Sequence, residues 1–221
     1  TPIRKKMKTK ILATGLSGMI GSRIEELLGE SYDFENLSLE TGLDITDKEM
    51  VMKRVSGSGA EIVLHLAAKT DVDGCEKDKV LGKSGEAWKS NVLGTQNIVE
   101  ACQKFGKKII YISTDFVFDG ENPPAGGYTE ESPANPINWY GLTKYEGEKI
   151  VQKLDSHYLI CRLGFPYRAQ FPQKKDFVRA ILARLQNNEE AKAVFDQIFT
   201  PTFIDDIAWA LDILIKKQAV G

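Results

Sequence analysis

The chain has 221 residues, of which 42% are hydrophobic and 27% are charged, and its formal net charge is −2. This length suffices for one full α/β domain, and the composition is typical of a globular protein rather than a disordered or membrane-embedded one. The near-neutral charge argues against nucleic acid as a partner, because binding a phosphate backbone calls for a basic excess.

The N-terminal segment is basic but short. Its positive residues include the outer face of the first predicted strand, so we expect a solvated surface rather than a binding arm. No stretch reaches the roughly 18 apolar residues that would span a bilayer, and no apolar run follows the basic start as it would in a secretory signal. We therefore expect no membrane association. The basic residues are Arg4, Lys5, Lys6, Lys8 and Lys10.

Five apolar runs of strand length alternate with amphipathic stretches along the chain. This alternation predicts a parallel sheet whose right-handed crossovers place helices on both faces. The stretch 119–138 is rich in proline and glycine and predicts a long loop, and a further strand is expected where the chain stops at Gln218–Gly221. The predicted strands are Lys10–Thr14, Leu37–Leu39, Ile62–Leu66, Ile109–Ser113 and Tyr158–Leu163. The predicted helices are Met19–Leu28, Lys48–Val55, Gly85–Phe105, Trp139–Leu154, Asp176–Asn187 and Asp205–Lys217.

The cysteines and histidines do not suggest a metal centre. Cys75, Cys102 and Cys161 are odd in number and widely spaced, and only His65 and His157 could complete a ligand set. We therefore expect reduced thiols in a cytoplasmic chain, and no bound metal.

A glycine-rich loop joins the first predicted strand to the first predicted helix. Its first glycine permits a tight turn, the second lets the backbone approach a pyrophosphate, and the third lets the helix pack on the strand. A turn without a ligand needs one glycine rather than three. The residues expected at the diphosphate are Gly15, Ser17, Gly18, Met19, Ile20 and Gly21.

The loop and the alternation together predict one NAD(P)-binding domain over residues 1–221. Its fold class is a Rossmann-type doubly wound parallel sheet, α/β, flanked by helices on both faces. Glu40 follows the second predicted strand, where a carboxylate would bind a ribose 2′-hydroxyl and repel a 2′-phosphate. This favours NAD slightly over NADP; the alternative is a solvated carboxylate at a strand end.

Two Tyr-x-x-x-Lys pairs lie on one predicted helix, Tyr140 with Lys144 and Tyr145 with Lys149. Residues four apart share a helix face, so the two side chains of a pair can reach one ligand. The tyrosine hydroxyl could protonate a carbonyl oxygen, and the lysine ammonium would lower the pKa of that hydroxyl. The pairs point about 140° apart, and spacing alone does not choose between them. Thr114 ends the fourth predicted strand, where its hydroxyl could bind a developing oxyanion or could merely cap a loop.

Eight segments together resemble the extended short-chain dehydrogenase/reductases, and within them the dTDP-4-dehydrorhamnose reductase (RmlD-like) branch. In that family the active pair reads Tyr-Gly-x-[Ser/Thr]-Lys, which matches Tyr140–Lys144 rather than Tyr145. The resemblance also implies that Thr114 hydrogen-bonds the substrate carbonyl. The segments are Thr14–Gly21, Leu43–Asp47, His65–Ala68, Thr70–Glu76, Asn91–Thr95, Ile112–Gly120, Pro136–Glu148 and Asp196–Thr202.

The same resemblance assigns further roles. Asp44 and Ile45 are expected to frame the adenine, Leu66, Ala67 and Ala68 to pass beneath the cofactor, and Asn91 to organise the catalytic site. Phe199 and Thr200 depart from glycine-containing versions of their segment. The resemblance also implies a small or truncated C-terminal substrate lobe, with substrate-side segments at about 164–203. The substrate contacts are expected at Val72, Asp73, Phe116, Phe118 and Gln197.

The resemblance implies a reductase that uses NAD or NADP to reduce the keto group of a nucleotide-activated 4-keto sugar, as a homodimer. Two alternatives stay open. One is a cofactor-binding regulatory subunit, because the regulatory beta subunit of methionine adenosyltransferase resembles the same branch. The other is a sugar-nucleotide epimerase or dehydratase that retains its NAD.

Overall fold

The structure is a computed structural model that describes residues 8–121, 123–191 and 194–221. Arg4, Lys5 and Lys6 of the basic run lie outside the described residues, whereas Lys8 and Lys10 are exposed as expected. The strands are β1 (Thr9–Thr14), β2 (Tyr32–Leu37), β3 (Ile62–His65), β4 (Lys108–Thr114), β5 (Tyr158–Leu163), β6 (Pro166–Tyr167) and β7 (Thr202–Phe203). The helices are α1 (Met19–Leu28), α2 (Lys48–Gly57), α3 (Val72–Asp78), α4 (Glu86–Trp88), α5 (Thr95–Phe105), α6 (Trp139–Val151), α7 (Phe177–Gln186) and α8 (Ile204–Lys216).

The main sheet is parallel, in the order β2-β1-β3-β4-β5. The chain runs outward from β1 to β2 and then crosses back to β3, so the strand order reverses between β1 and β3. In sheets of this kind ligands bind at the carboxyl edge next to such a reversal. The predicted doubly wound parallel sheet is confirmed.

Helices cover both faces of the sheet, as the near-continuous apolar strands β1, β3 and β4 require. On one face α2, α5 and α6 bury Val51, Ile98 and Val151 against the strands. On the other face α1 and α8 bury Ile24 and Leu211. Each face therefore has its own apolar core.

The predicted strand Leu37–Leu39 is wrong in position. The observed β2 ends at Leu37, and Leu39 is 75% exposed in a short 3-10 turn, Leu39–Thr41. β2 is an edge strand and carries the polar residues Asp33 and Glu35 between its apolar residues. It therefore lacks the continuous apolar run by which the other strands were predicted.

The long predicted helix Gly85–Phe105 is α4, a π-helical turn at Lys89–Gly94, and α5 in direct succession. The sequence suggested a helix start near Val72 only as an alternative to a substrate role, and α3 begins there; it did not predict the small parallel pair β6 and β7. This pair joins the two ends of the region predicted as substrate-side, and α7 lies between them.

The C-terminal residue lies along the outer edge of β5. The Gly221 N–H donates to the Tyr158 carbonyl, with N and O 3.1 Å apart, and the Ile160 N–H donates to the Gly221 carbonyl at 2.7 Å. None of the helices in the described ranges is long and apolar enough to span a membrane. The same ranges hold no group of three acidic, histidine or cysteine side chains that could bind a metal ion.

Candidate active site

The glycine loop is shaped by backbone contacts that exclude any side chain at two of its positions. Gly15 has a φ of +65°, and a Cβ there would lie 2.9 Å from the backbone of Ala67. A Cβ on Gly21 would lie 2.5 Å from the Leu16 carbonyl oxygen. Gly15 therefore permits the turn against the β3 end, and Gly21 permits α1 to pack on the loop.

The start of α1 suits a dinucleotide diphosphate. Gly18 is the N-cap residue, and no side chain of the described residues caps it. The first N–H groups of a helix have no partner within the helix, so those of Met19 and Ile20 can hydrogen-bond an anion at the positive end of the helix dipole. The residues present therefore fit a dinucleotide cofactor.

A small polar cluster lies where β2 ends beside the loop. The Asn36 amide donates to the Ser17 hydroxyl, with N and O 3.1 Å apart, and the Ser38 hydroxyl bonds the Asn36 side chain. Glu40, expected at the strand end, is exposed in the 3-10 turn beyond Ser38. The strand end thus presents uncharged hydroxyl and amide groups rather than the carboxylate.

The two residues expected to frame the adenine lie on the loop after this turn. Asp44 is exposed and accepts a hydrogen bond from the Thr46 N–H at 2.8 Å. Ile45 is buried, and its side chain fills the space where Gly94 has no Cβ. Ile45 therefore fixes the loop against the π-helical turn.

The β3 end and the glycine loop are joined through Thr14. Its hydroxyl accepts hydrogen bonds from the N–H groups of Leu66 and Ala67, both at 3.2 Å, and bonds His65 Nδ1 at 2.6 Å. The second ring nitrogen of His65 lies 3.0 Å from the Thr95 hydroxyl. The segment Leu66–Ala68 is thereby held directly under the glycine loop.

Asn91 lies in the π-helical turn and connects three parts of the site. Its carboxamide oxygen accepts from the Lys69 N–H at 2.8 Å, and its amide donates to the Lys69 carbonyl at 3.1 Å and to the Thr143 hydroxyl at 2.9 Å. A π-turn inserts an extra residue and re-aims its neighbours, and it is frequent at functional sites. Asn91 therefore holds the β3–α3 loop to α6.

Helix α6 carries both candidate catalytic residues on its buried face. It begins after Asn138, whose side chain accepts from the Gly141 N–H at 2.7 Å. Tyr140 and Lys144 are 9% and 2% exposed. The second pair differs: Tyr145 is half-buried, and Lys149 is paired at the surface with Glu146. Only the first pair faces the carboxyl edge of the sheet.

Thr114 lies beside Tyr140 at the end of β4. Burial raises the pKa of Tyr140 to about 12, and a hydrogen bond with the Thr114 side chain opposes this shift. Thr114 also accepts a hydrogen bond from the Phe116 N–H at 3.2 Å. It therefore caps the following turn, which was the alternative to an oxyanion contact in the sequence analysis. Its hydroxyl can serve both as a cap and as a contact of the tyrosine.

Lys144 is fastened to the sheet. Its ammonium donates to the Ile112 carbonyl at 2.8 Å and lies 4.1 Å from the centre of the Tyr111 ring. Burial lowers the pKa of Lys144 to about 7, and the charge of Glu148 opposes the shift. The expected lowering of the Tyr140 pKa by Lys144 is not seen here, because burial dominates and Thr114 provides the opposing contact.

Aromatic rings crowd the outer side of Tyr140. Phe116 meets the Tyr140 ring edge-on, with centroids 5.8 Å apart, and lies 5.7 Å from Phe165. Phe165 packs on Phe199 at 4.5 Å, and Phe199 meets Phe177 at 4.8 Å. Phe199, which departs from the glycine-containing pattern, therefore joins the wall of rings that leads to Tyr140.

The other expected substrate residues are dispersed. Val72 packs in the cluster around Tyr140, whereas Asp73 and Gln197 are exposed. Phe118 stacks on Tyr128, with centroids 4.3 Å apart, and lies under the Arg162 guanidinium at 5.1 Å. The structure thus brings Val72 and Phe116 to Tyr140, but it does not bring the other three.

Sequence reasoning missed the buried pair Glu148 and Arg162 and the role of Phe165. Arg162 donates two hydrogen bonds to the Glu148 carboxylate, at 3.0 and 2.7 Å. Phe165 has a φ of +41°, a left-handed conformation that side chains rarely adopt. The sequence offered one signal, a charged residue on the buried face of α6 one turn after Lys144.

Comparison with known proteins gives a consistent result. Residues 9–221 match the family described as the RmlD substrate binding domain. A dTDP-4-dehydrorhamnose reductase of Aggregatibacter actinomycetemcomitans is 32% identical over 213 residues, which are 96% of this chain and 69% of that protein.

Solved structures agree. A dTDP-4-dehydrorhamnose reductase of Bacillus anthracis in complex with NADP is 35% identical, with a TM-score of 0.86 over 97% of this chain and 73% of that one. The UDP-glucose 4-epimerase of Thermus thermophilus in complex with NAD is 27% identical, with a TM-score of 0.76 over 93% of this chain and 74% of that one. The chain described here belongs to the RmlD substrate binding domain family.

Proposed function

We propose that this chain is an NADPH-dependent oxidoreductase that reduces the 4-keto group of a nucleotide-activated sugar, dTDP-4-dehydrorhamnose. The observation that carries the proposal is the buried Tyr140 hydroxyl beside Thr114, at the sheet edge that also holds the glycine loop. Family membership supplies the reaction class, and the site supplies a proton donor in the place where that reaction needs one.

The glycine loop and the start of α1 would hold the diphosphate of the cofactor, and a bound reduced nicotinamide supplies the hydride. Negative charge then develops on the sugar oxygen. The Tyr140 hydroxyl donates a proton to that oxygen, and Thr114 donates a hydrogen bond to it. Lys144, held between β4 and α6, provides the positive charge under the site. Asn91 holds the β3–α3 loop against α6 through its hydrogen bonds to Lys69 and Thr143.

We propose NADPH rather than NADH as the preferred cofactor. The Bacillus anthracis relative was solved with NADP. The group that would repel a 2′-phosphate, Glu40, is exposed beyond the strand end, and the neutral residues Ser17, Asn36 and Ser38 take that position. This reverses the slight preference for NAD that the sequence suggested.

Two further expectations form part of the proposal. A cytoplasmic location is supported by the free thiols of Cys75, Cys102 and Cys161. A nucleotide sugar is the proposed small-molecule partner. The homodimer expected from the resemblance stays a prediction.

The test is oxidation of NADPH and of NADH by the purified chain with dTDP-4-dehydrorhamnose, followed by the absorbance of the reduced nicotinamide. The controls are Tyr140→Phe and Tyr145→Phe, which remove a hydroxyl from the same helix. We expect turnover that falls by about two or more orders of magnitude in Tyr140→Phe and persists in Tyr145→Phe. Equal turnover in all three proteins would contradict the assignment of Tyr140.

The same assay separates the alternatives. Cofactor binding without turnover, together with copurification of a partner enzyme, would favour a regulatory subunit. Conversion of a sugar nucleotide without net cofactor oxidation would favour an epimerase, the activity named for the Thermus thermophilus structure.

A further inference from the structure

A fully buried carboxylate lies one helical turn beyond Lys144. Glu148 is on the same face of α6 as Tyr140 and Lys144, and its side chain has no exposed surface. The N-terminal half of this face forms the proposed site, whereas Glu148 lies too deep to touch a substrate. A carboxylate in such a position is costly unless a cation compensates for it.

The compensating cation comes from the neighbouring strand β5. Arg162 binds both oxygens of Glu148 through Nε and Nη2, and its own side chain is 22% exposed. Its guanidinium also lies 5.1 Å from the centre of the Phe118 ring. Two parallel hydrogen bonds fix the orientation of the carboxylate as well as its position.

Within the part of the chain that the structure describes, the groups that face Lys144 are neutral apart from Glu148. From β3 it faces His65, whose pKa burial lowers to about 3, so the ring is neutral at ordinary pH. From β4 it faces the Tyr111 ring and the Ile112 carbonyl, and burial keeps the Tyr111 hydroxyl protonated by raising its pKa. From its own helix it faces Tyr140 and Glu148, and Glu148 is the one charge that raises its pKa.

We propose that Glu148, anchored by Arg162, is a positioning residue that keeps Lys144 charged beneath the active site. The three groups form a line of alternating charge that runs from α6 to β5, positive at Lys144, negative at Glu148 and positive at Arg162. Its catalytic meaning rests on the proposed function, because that function takes Lys144 as the cation under Tyr140. The electrostatic part does not depend on the reaction.

The decisive measurement is the titration of Lys144 in the chain without substrate or cofactor. Lysine labelled with ¹³C at Cε is followed by NMR across pH, and the Lys144 signal is identified by its loss in Lys144→Met. In the unchanged chain we expect a midpoint of about 7. In Glu148→Gln we expect the midpoint to fall by about one unit or more, because the buried ammonium loses the negative charge that raises its pKa.

Two further variants serve as controls for the Glu148→Gln titration. Glu146→Gln makes the same charge change on the same helix, but it breaks only the exposed pair with Lys149 and is expected to leave the midpoint unmoved. Glu148→Asp keeps the negative charge, so its Lys144 midpoint should stay close to that of the unchanged chain. A Glu148→Gln midpoint within about 0.3 units of the unchanged chain would overturn the proposal, since a one-unit shift is the scale expected of a lost buried partner.

Glu148→Gln alone leaves Arg162 without its carboxylate and is the variant most at risk of misfolding. The double variant Glu148→Gln with Arg162→Gln replaces the ion pair by two neutral amides and so avoids an unpaired buried charge. Its Lys144 midpoint should still lie below that of the unchanged chain. An unmoved midpoint in this folded variant would equally overturn the proposal.

Turnover then separates this inference from the proposed function. Above both midpoints, Glu148→Gln should have about tenfold lower kcat/KM than the unchanged chain, with less difference at acidic pH, because one unit of pKa is a factor of ten in the charged fraction. An unchanged chain without turnover counts against the proposed function alone. Turnover with identical pH profiles in both proteins counts against the role of Glu148.

Discussion

The Lys144 ammonium donates a hydrogen bond to the carbonyl oxygen of Ile112, and the nitrogen and oxygen are 2.8 Å apart. Ile112 lies in β4 two residues before Thr114, so the lysine is fastened to the strand that carries the proposed carbonyl-binding hydroxyl. Tyr140 is held one turn earlier on α6, and burial raises its pKa to about 12. Its hydroxyl is therefore protonated at neutral pH, which is the form that a proton donor needs.

Thr114→Val should remove the carbonyl contact while keeping the branched shape that fills the β4 end. We expect kcat to fall by about two orders of magnitude, since loss of one donor to a developing oxyanion costs on this scale. NADPH affinity should change little, because the glycine loop is untouched. Steady-state kinetics and a fluorescence titration of NADPH measure the two effects.

Thr114→Ser is the matched control for that variant. It keeps the hydroxyl and the cap of the following turn, so its kcat should stay within about tenfold of the unchanged chain. A loss of kcat in the serine variant without a loss in the valine variant would show that the threonine acts through its methyl packing instead.

Gly21→Ala should disrupt the cofactor loop. The new Cβ would lie 2.5 Å from the Leu16 carbonyl oxygen and 2.6 Å from Leu16 Cα, and backbone atoms cannot move aside as a side chain can. We expect a loss of about 1–3 kcal/mol in the free energy of unfolding, as for an overpacked core, and a clear loss of NADPH affinity. Thermal unfolding with and without NADPH measures both.

The control for this change is Gly57→Ala at the end of α2, where a Cβ meets no atom within 4 Å. Its stability should stay within about 0.5 kcal/mol of the unchanged chain, and its NADPH affinity should be the same. If both alanine variants bind NADPH normally, the loop at Gly21 does not carry the cofactor.

Local signals explain how much of this site the sequence predicted. The strand, glycine loop and helix from β1 to α1 follow each other directly, so each predicts the next. The spacing of four residues placed Tyr140 and Lys144 on one helix face. The choice of this pair over Tyr145 and Lys149 came from the family resemblance, because it depends on burial and spacing carries no information about burial.

The rest depends on contacts between distant parts of the chain. The β6 and β7 strands have two residues each and pair across more than thirty positions, so neither shows a periodic pattern. The Glu148 and Arg162 pair joins a helix to a strand in the same way. The position of β2 was predicted wrongly because the strands were predicted from unbroken apolar runs. An edge strand tolerates polar residues, so β2 has no such run.

Phe199→Ala should loosen the segment 194–200. The side chains of this segment are exposed except for Phe199, whose ring packs on Phe165 and Phe177. Each aromatic contact contributes about 0.5–1.5 kcal/mol, so its removal should speed thermolysin cleavage within the segment by about tenfold. Mass spectrometry of the fragments locates the cut.

Phe195→Ala is the control for this experiment, because Phe195 is 100% exposed. Its cleavage rate at the other sites of the segment should match that of the unchanged chain. If Phe199→Ala is cut no faster than Phe195→Ala, the ring cluster does not anchor the segment.

His65 should make the fold sensitive to acid. Its ring is 1% exposed and lies between the Thr14 and Thr95 hydroxyls, and burial, with a smaller effect from the Lys144 charge, lowers its pKa to about 3. The unfolded chain takes up the proton near pH 6.5, whereas the folded chain stays neutral until about pH 3. The stabilisation is therefore complete above pH 6.5 and is lost progressively as the pH falls towards 3.

The expected loss is about 1.4 kcal/mol per pH unit within that window, or about 2–3 kcal/mol between pH 6.5 and 4.5. Urea unfolding of the unchanged chain and of His65→Gln at pH 7, 5.5 and 4.5 measures it. His65→Gln should be less stable at pH 7 but should lose less on acidification. His157→Gln, which changes the exposed and only other histidine of the chain, should follow the unchanged chain at every pH. A His65→Gln profile parallel to that of His157→Gln would mean that the His65 ring has the same pKa in the folded and the unfolded chain, so that burial between Thr14 and Thr95 does not disfavour its charged form.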